Sequence, residues 1–378
     1  MTKSQLIYFP KGHKMKRVFQ LAHTLNMAGT ETVFMNWYRN IDRSVLQFDF
    51  CVNREYTTPL VNEIKLKGGQ ILIVSHKSGI WGQLKFQYNL YKTLKQHGPY
   101  LAFQTHSHWS SGIDCFTAAV AGIKKRYTIS HYAQGAQSYS FRIKLLLPLY
   151  RLFIYLFSTK RLAVSEEAGN FLYGKYMFFE IIHNGINLQQ FAYNPAVRKK
   201  KRAELGLENK FVVGNIARFT TPKNHSFLID IFAEIRKQNP QAHLVLLGTG
   251  ELEHLIKQKV SQLGLTHAVS FMGVCTNVQD FYQVFDVFLL PSLYEGLPCV
   301  AVEAQGSGLP CFLADTIAKE TAICNTTFLS LSQSANEWGN VILEMTKNFV
   351  RKDESEVIRQ AGFDVTEVGK FIQAEYLK

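Results

Sequence analysis

The chain predicts an α/β protein of two domains, each built on a mostly parallel sheet with helices on both faces. Three observations lead there. Its 378 residues exceed the size at which one hydrophobic core keeps growing. Short apolar, β-branched runs alternate with helical patterns, as in repeated β-α units, and that alternation implies parallel strands. A polar, helix-breaking stretch near residues 187–201 interrupts the series about halfway.

The candidate strands of the first half are residues 18–22, 48–52, 70–74, 101–104, 126–129, 162–164 and 180–183. Those of the second half are 211–215, 243–247, 269–272, 286–290 and 310–313. Helical patterns lie between them, as at 81–97, 228–238 and 252–263. The turn signal Asn184-Gly185, then Pro195 and the basic run Arg198 to Arg202, mark the joint. We therefore expect an N-terminal domain over 1–190 and a second over 191–352. From Asp353 the chain reads helical to its end.

The composition is 47% hydrophobic and 19% charged, which suits a globular protein with a full core. No signal peptide is read in residues 1–14, and no uninterrupted apolar run reaches membrane-spanning length. The six cysteines form no C-x-x-C pair, so they read as reduced, cytosolic thiols.

Net charge is +13, and it is unevenly placed. Residues 1–190 hold 23 Lys and Arg against 9 Asp and Glu; the remainder holds 19 against 20. Such a basic half attracts nucleic acid, an anionic membrane or a phosphorylated substrate, with a merely solvated surface as the plain alternative. The most apolar stretch, residues 142–161 (RIKLLLPLYRLFIYLFSTKR), is too short and interrupted to span a membrane. It fits a helix lying at a membrane surface, and it fits a core helix beneath the sheet.

The sharpest chemical signal is residues 289–320, LLPSLYEGLPCVAVEAQGSGLPCFLADTIAKE. A buried strand should end at Leu290, with Glu295, Gly296 and Leu297 in the loop and Pro298 as the first residue of a helix. Ligands of parallel sheets sit beyond the strands' carboxyl ends, against helix N-termini whose free N–H groups favour a diphosphate. Glu303 would lie about 7 Å along that helix. Glu295 and Glu303 can then grip opposite ends of a polyhydroxylated ligand.

In GNIARFTTPKNH (214–225) a strand end delivers Arg218 and Lys223 to the same edge, and a guanidinium fork and an ammonium complement a diphosphate. In HTLNMAGTE (23–31) the first β-α turn offers Gly29 for close backbone approach, or merely caps a helix. His106 and His108 (QTHSH) and His131 (ISHYAQ) follow strands of the basic half. An H-x-H pair invites a metal, but no third ligand stands at suitable spacing, and a sugar pocket or a structural role fits as well. Gly248 and Gly250 form a glycine-rich strand-to-helix turn, and Val274 follows the next strand in FMGV.

The E-x7-E pair, the Gly-Leu-Pro turns and the A-R-F-x-x-x-K-N segment resemble retaining glycosyltransferase family 4, in particular its bacterial exopolysaccharide and capsule members. Ala217 and Ala28 stand where that family usually carries glycine. The resemblance implies the GT-B architecture, two Rossmann-like domains facing a central cleft, with the last helices crossing back to the first domain. It implies that Glu295 contacts the transferred sugar and Glu303 the ribose. Arg218 and Lys223 would steady the diphosphate, and His131 would bond the donor sugar across the cleft. Gly248, Gly250 and Val274 would meet the nucleotide. It further implies a nucleotide-sugar donor, most commonly UDP-linked, no metal and no other cofactor. The acceptor would be a lipid-linked saccharide, met at the anionic inner face of the cell membrane. A GT-B epimerase or hydrolase is the enzymatic alternative, distinguished by acceptor-independent loss of donor. Nucleic-acid binding lacks a recognisable module and would show as salt-sensitive binding without donor turnover.

Overall fold

The computed structural model describes residues 15–26, 29–75, 79–131 and 141–378. The opening segment 1–14, Ala28 and the residues following His131 lie outside them.

The first sheet comprises β1 (Lys16–His23), β2 (Leu46–Val52), β3 (Ile71–Ile73), β4 (Ala102–Thr105), β5 (Lys125–Ser130), β6 (Lys160–Ala163) and β7 (Glu180–Ile181). Its helices are α1 (Gly29–Asn40), α2 (Pro59–Leu66), α3 (Ile80–His97), α4 (Ser111–Val120), α5 (Phe141–Phe157) and α6 (Glu166–Tyr173). Two helices, α7 (Leu188–Phe191) and α8 (Pro195–Glu204), lead to the second sheet. Side-chain oxygens of Asn187 and Asn194 cap them, so the polar joint supplies its own helix starts.

The second sheet comprises β8 (Phe211–Ile216), β9 (Ala242–Leu247), β10 (Val269–Phe271), β11 (Val287–Leu290), β12 (Cys311–Ala314) and β13 (Thr326–Leu329). With it go α9 (His225–Gln238), α10 (Glu253–Gln262), α11 (Val278–Val284), α12 (Cys299–Gly306), α13 (Ala335–Thr346), α14 (Ser355–Gln360) and α15 (Val365–Leu377).

Strand order is β3-β2-β1-β4-β5-β6-β7 in one sheet and β10-β9-β8-β11-β12-β13 in the other. Neighbouring strands run parallel throughout. Each order therefore reverses once, between β1 and β4 and between β8 and β11. Doubly wound sheets open a crevice at such a reversal, beyond the carboxyl ends of the strands. The strands explain the rest: β2, β4, β11 and β12 are buried along their whole length, as strands covered on both faces must be.

The end of the chain returns to the first sheet. Val368, Ile372 and Tyr376 of α15 join its core, and α15 lies so close to α1 that a Cβ on Gly369 would come within 2.6 Å of Asn40 Cβ. At the base of this crossing, the Ile186 amide donates to Phe363 O at 2.8 Å.

The predicted strands recur within about two residues of their places, with three differences. Strand β13 was not anticipated. It is a sheet edge that pairs only with β12, and its Thr326, Thr327 and Phe328 are only half-buried, so it lacks the apolar run of an interior strand. Pro298 is the cap of α12 rather than its first residue, because the helix opens at Cys299. Residues 182–183 leave the last strand of the first sheet, which stops at Ile181.

Candidate active site

At the reversal of the second sheet, two loops converge. After β8 the chain turns through Arg218 and a 3-10 turn at Thr221–Lys223, then enters α9 at Asn224, whose φ of 52° is left-handed. After β11 the chain runs through Ser292 and Glu295 to the cap of α12. Backbone and side chain stitch the loops together: the Leu293 amide donates to Pro222 O at 2.8 Å, and Asn224 Nδ2 donates to Pro291 O at 3.1 Å. The Lys223 ammonium donates to Glu295 Oε1, which also accepts from Ser292 Oγ at 3.0 Å. With side-chain exposures of 23% and 14%, this is a half-buried pair whose charges are held, not solvated.

Arg218 stands apart from that pair. It is exposed, and its side chain makes no hydrogen bond or ion pair among the described residues. The structure thus joins Lys223 to Glu295, while Arg218, in the same loop after β8, pairs with neither among the described residues.

The loop after β9 packs directly on the Arg218 loop. The Phe219 amide donates to Thr249 O at 3.1 Å, and the Leu252 amide donates back to Phe219 O at 3.0 Å. This contact has no room for side chains. A Cβ on Gly248 would lie 2.1 Å from Ala217 O, and one on Gly250 would lie 2.4 Å from Phe219 O. Gly248 also has φ of 124°, a conformation only glycine adopts cheaply. The next loop follows in register, with the Gly248 amide on Gly273 O at 2.8 Å and Val274 exposed beyond it.

On α12, Glu303 is reached by Tyr282, whose hydroxyl donates to Oε2 at 2.7 Å. Burial pushes the Glu303 carboxyl up to about 7, and the Tyr282 hydroxyl only partly offsets it. Gly296 is half-buried, while Leu297 and Pro298 are buried at the start of α12.

Across the cleft, β1 ends at His23, itself left-handed with φ of 63°. The β1-α1 turn is closed by Glu31, whose Oε1 accepts from Thr24 Oγ1 at 2.6 Å and from the Asn26 amide at 3.2 Å. A Cβ on Gly29 would meet nothing within 4 Å, so the protein's own packing does not demand a glycine there.

The histidines separate differently from their spacing. His106 pairs with His131 of the neighbouring strand end, Nδ1 to Nε2 at 2.8 Å, and their rings stack with centroids 5.1 Å apart. His108 instead stacks on Trp109. Burial drives the His106 imidazole well below its ordinary range and takes His131 down to about 3, so both are neutral at physiological pH. Among the described residues no three His, Cys, Asp or Glu side chains are grouped to hold a metal.

Comparison with known proteins completes the picture. Residues 197–358 match the family model described as glycosyl transferases group 1. EpsF of Bacillus subtilis (strain 168), named as a glycosyltransferase, is 34% identical over 92% of this chain and 93% of its own. The chain belongs to the group 1 glycosyltransferases. A second relative of this glycosyltransferase is the Escherichia coli UDP-Gal:alpha-D-GlcNAc-diphosphoundecaprenol alpha-1,3-galactosyltransferase, 29% identical over 61% of this chain and 62% of its own. Among solved structures, Anabaena HepE in complex with UDP superposes with a TM-score of 0.78 at 18% identity, covering 96% of this chain and 99% of that one, which establishes the GT-B fold.

Sequence reading missed one part of this glycosyltransferase's cleft. His23 Nε2 is hydrogen-bonded to Ser107 Oγ, which accepts from Thr105 Oγ1 at 2.8 Å, and Thr105 Oγ1 also reaches the wholly buried Asp114 Oδ2 at 3.2 Å. Its one visible signal is a histidine closing the first strand after Leu21 and Ala22. Two surface hollows along α8, at Val197 to Glu204 and at Pro195 to Glu208, are lined by none of these site residues. They lie beside the basic helix of the joint, and we set the chemistry at the strand ends, where the charged groups converge.

Proposed function

We propose that this glycosyltransferase moves a sugar from a UDP-linked donor to a lipid-linked saccharide, with retention of anomeric configuration, in surface polysaccharide synthesis. The observation that carries this reading is the Lys223–Glu295 pair with an unengaged Arg218 at the same sheet reversal. A diphosphate entering here would bring the countercharge that Arg218 lacks and would share Lys223 with Glu295. As the bond from the anomeric carbon to the diphosphate oxygen breaks, negative charge grows on the diphosphate, and fixed cations favour that state over the ground state. Glu295, relieved of part of its ion pair, would orient the sugar's hydroxyls and support the oxocarbenium-like centre. Glu303 would take the ribose hydroxyls, and Gly248, Gly250 and Val274 the nucleotide's flank.

In this reading residues 1–190 bind the acceptor, 191–352 bind the donor, and 353–378 tie the second domain to the first. His131 presents its free ring nitrogen to the sugar from the opposite wall. Arg218 and Lys223 supply the charge that a divalent cation supplies elsewhere. A lipid-linked acceptor and the basic first half both favour a site of action at the anionic inner face of the membrane. The Escherichia coli relative, whose name specifies a diphosphoundecaprenol acceptor and UDP-Gal, supports both substrate classes.

The test is a panel of sugar nucleotides incubated with lipid-linked acceptors, reading released nucleotide and the product anomer. Transfer with retained configuration is expected. An inverted product contradicts the retaining assignment, and donor loss that ignores the acceptor favours the epimerase or hydrolase. Unchanged turnover in Lys223→Ala and Glu295→Ala would remove the site.

A further inference from the structure

The outward side of α5 is built the wrong way round for a helix facing water. Ile154 is fully buried and points at the protein, yet Leu145, Leu149, Leu152 and Leu156 recur at helical spacing on the opposite side and are all exposed, Leu145 to 71%. The only charge described on this helix, Arg151, turns inward to donate to Phe171 O at 2.9 Å and Leu172 O at 3.2 Å.

The apolar surface does not stop at α5. Phe116 of α4 is exposed and packs its ring against Phe153 and Phe157 of α5. Beyond α4 lies α3, tied to it by Gln87, which donates to Asp114 at 2.7 Å and accepts from Thr117 at 2.6 Å. The outer side of α3 exposes Ile80, Trp81 (85%), Leu84 and Tyr88, interleaved with exposed Lys85, Lys92 and Lys95. An exposed apolar surface of this extent, on three adjacent helices, marks an interaction face.

Charge decides what covers it. Residues 64–165 contain fourteen Lys and Arg and a single carboxylate, Asp114, which is fully buried. The face thus joins leucines and a tryptophan to cations with no exposed acid, a pattern that complements anionic lipid headgroups over acyl chains. Among the described residues no helix is long and apolar enough to cross a membrane, so contact would be in the surface plane. Position agrees as well. In a parallel sheet the helices begin at the strands' carboxyl ends, so Trp81 and Leu145 lie at the edge that also carries His106 and His131.

We propose that the α3–α4–α5 face is a membrane-docking surface that seats the enzyme on an anionic bilayer with its acceptor-side edge at the lipid boundary. Leucines of α5 and Trp81 enter the interface while Lys85, Lys92 and Lys95 meet the headgroups. The proposal rests on the lipid-linked acceptor for its purpose, but its physical content stands on this face alone.

The test uses the full chain and sedimentation with vesicles of phosphatidylcholine, with and without phosphatidylglycerol. Wild type should sediment with the anionic vesicles and largely fail to do so with neutral ones. Leu145→Gln/Leu149→Gln/Leu152→Gln should weaken binding about tenfold or more, and Lys85→Glu/Lys92→Glu should do likewise, with thermal melting unchanged because all five side chains are exposed. Leu255→Gln, exposed on α10 of the other domain, should bind as wild type. Wild-type binding by the triple variant, or no binding by wild type, overturns the proposal. So does a wild-type dimer that the triple variant converts to monomer, since a second copy would then cover the face. Turnover of a detergent-dispersed acceptor separates the two readings. Vesicle binding without turnover removes the transferase assignment, and turnover without vesicle binding removes this surface.

Discussion

His131 Nε2 lies 2.8 Å from His106 Nδ1, and the direction of that hydrogen bond is set at the far end of the chain. Tyr376 of α15 donates to Gln104 Oε1 and accepts from Gln20 Nε2 at 3.2 Å. Gln20 Oε1 is therefore turned to His106 Nε2, 3.0 Å away, and an amide oxygen can only accept. Gln104 Nε2 also faces His106 Nε2, at the longer distance of 3.4 Å, so the nearer Gln20 oxygen assigns the proton to His106 Nε2 and leaves Nδ1 to accept from His131 Nε2. The His131 Nδ1, buried and with no hydrogen-bond partner among the described residues, is left as an acceptor, the atom that the proposed sugar contact would use. The tautomers follow from the network.

Tyr376→Phe removes the donor that orients Gln104 and the acceptor that orients Gln20. We expect about 1 kcal/mol of lost stability and a fall in kcat several times larger than any rise in KM. Histidine nitrogen NMR should show His131 as a mixture of tautomers in the variant and one tautomer in wild type. His131→Ala should cost roughly 10- to 100-fold in kcat/KM, the worth of one or two kcal/mol of hydrogen bonding to the sugar. A single unchanged tautomer in Tyr376→Phe would show that α15 does not set it.

Arg218→Ala is the cleaner probe of the proposed diphosphate site, because Arg218 is exposed and its side chain has no partner among the described residues. Its melting midpoint should hold, with stability within about 0.5 kcal/mol, while turnover falls about 10²-fold or more. Lys223→Ala should lose turnover comparably and also lose up to about 1 kcal/mol, since it strips a half-buried Glu295 of its cation. Equal stability losses in both variants would contradict this division, and chemical denaturation measures it.

How much of this was legible in the sequence follows from what each feature depends on. Strands such as β11 and β12 are apolar runs bounded by Pro and Gly, so composition alone located them. Glu295, Lys223 and Arg218 were placed at strand ends because parallel sheets leave no other edge for a ligand. What sequence could not give is pairing between distant elements: that His106 meets His131 and not His108, or that Tyr376 reaches Gln104 across 272 positions. Edge strand β13 escaped because edge strands need not be apolar. The segment of α5 stays open in the sequence between a membrane-surface helix and a core helix, since a leucine-rich helix reads alike whether it is covered by protein or by lipid.

Gly250→Ala tests the stacking of the loops after β8 and β9. The added methyl would stand 2.4 Å from Phe219 O and 2.7 Å from Phe219 N, both backbone atoms that cannot rotate away. The Arg218 loop must therefore shift. We expect a loss of about 1–3 kcal/mol together with weaker UDP binding, read by melting and by calorimetry. Gly206→Ala is the contrast: there a Cβ meets open space, so only the strain of its φ of 66° is felt and UDP affinity should not change. Equal UDP affinity in wild type and Gly250→Ala would show that the loop contact does not shape the nucleotide site.

The last prediction concerns pH and Glu303. Burial raises its carboxyl from 4.5 to about 7, so the folded free enzyme holds a proton that the unfolded chain releases earlier. The sign follows: the stabilisation is complete below pH 4.5 and is lost as pH rises through 7, by up to about 3 kcal/mol. Glu303→Gln cannot ionise and should flatten this decline, gaining on wild type between pH 5 and 8 in denaturation measured without nucleotide. Donor binding runs the other way. In the proposed role, ribose hydroxyls would donate to the charged carboxylate, so UDP affinity should rise from pH 5.5 to 7.5, with proton release visible as a buffer-dependent binding enthalpy. Glu303→Gln should bind UDP weakly at every pH with no such release. If wild-type affinity is flat across that range while Glu303→Gln still binds poorly, the carboxylate acts by shape and not by charge.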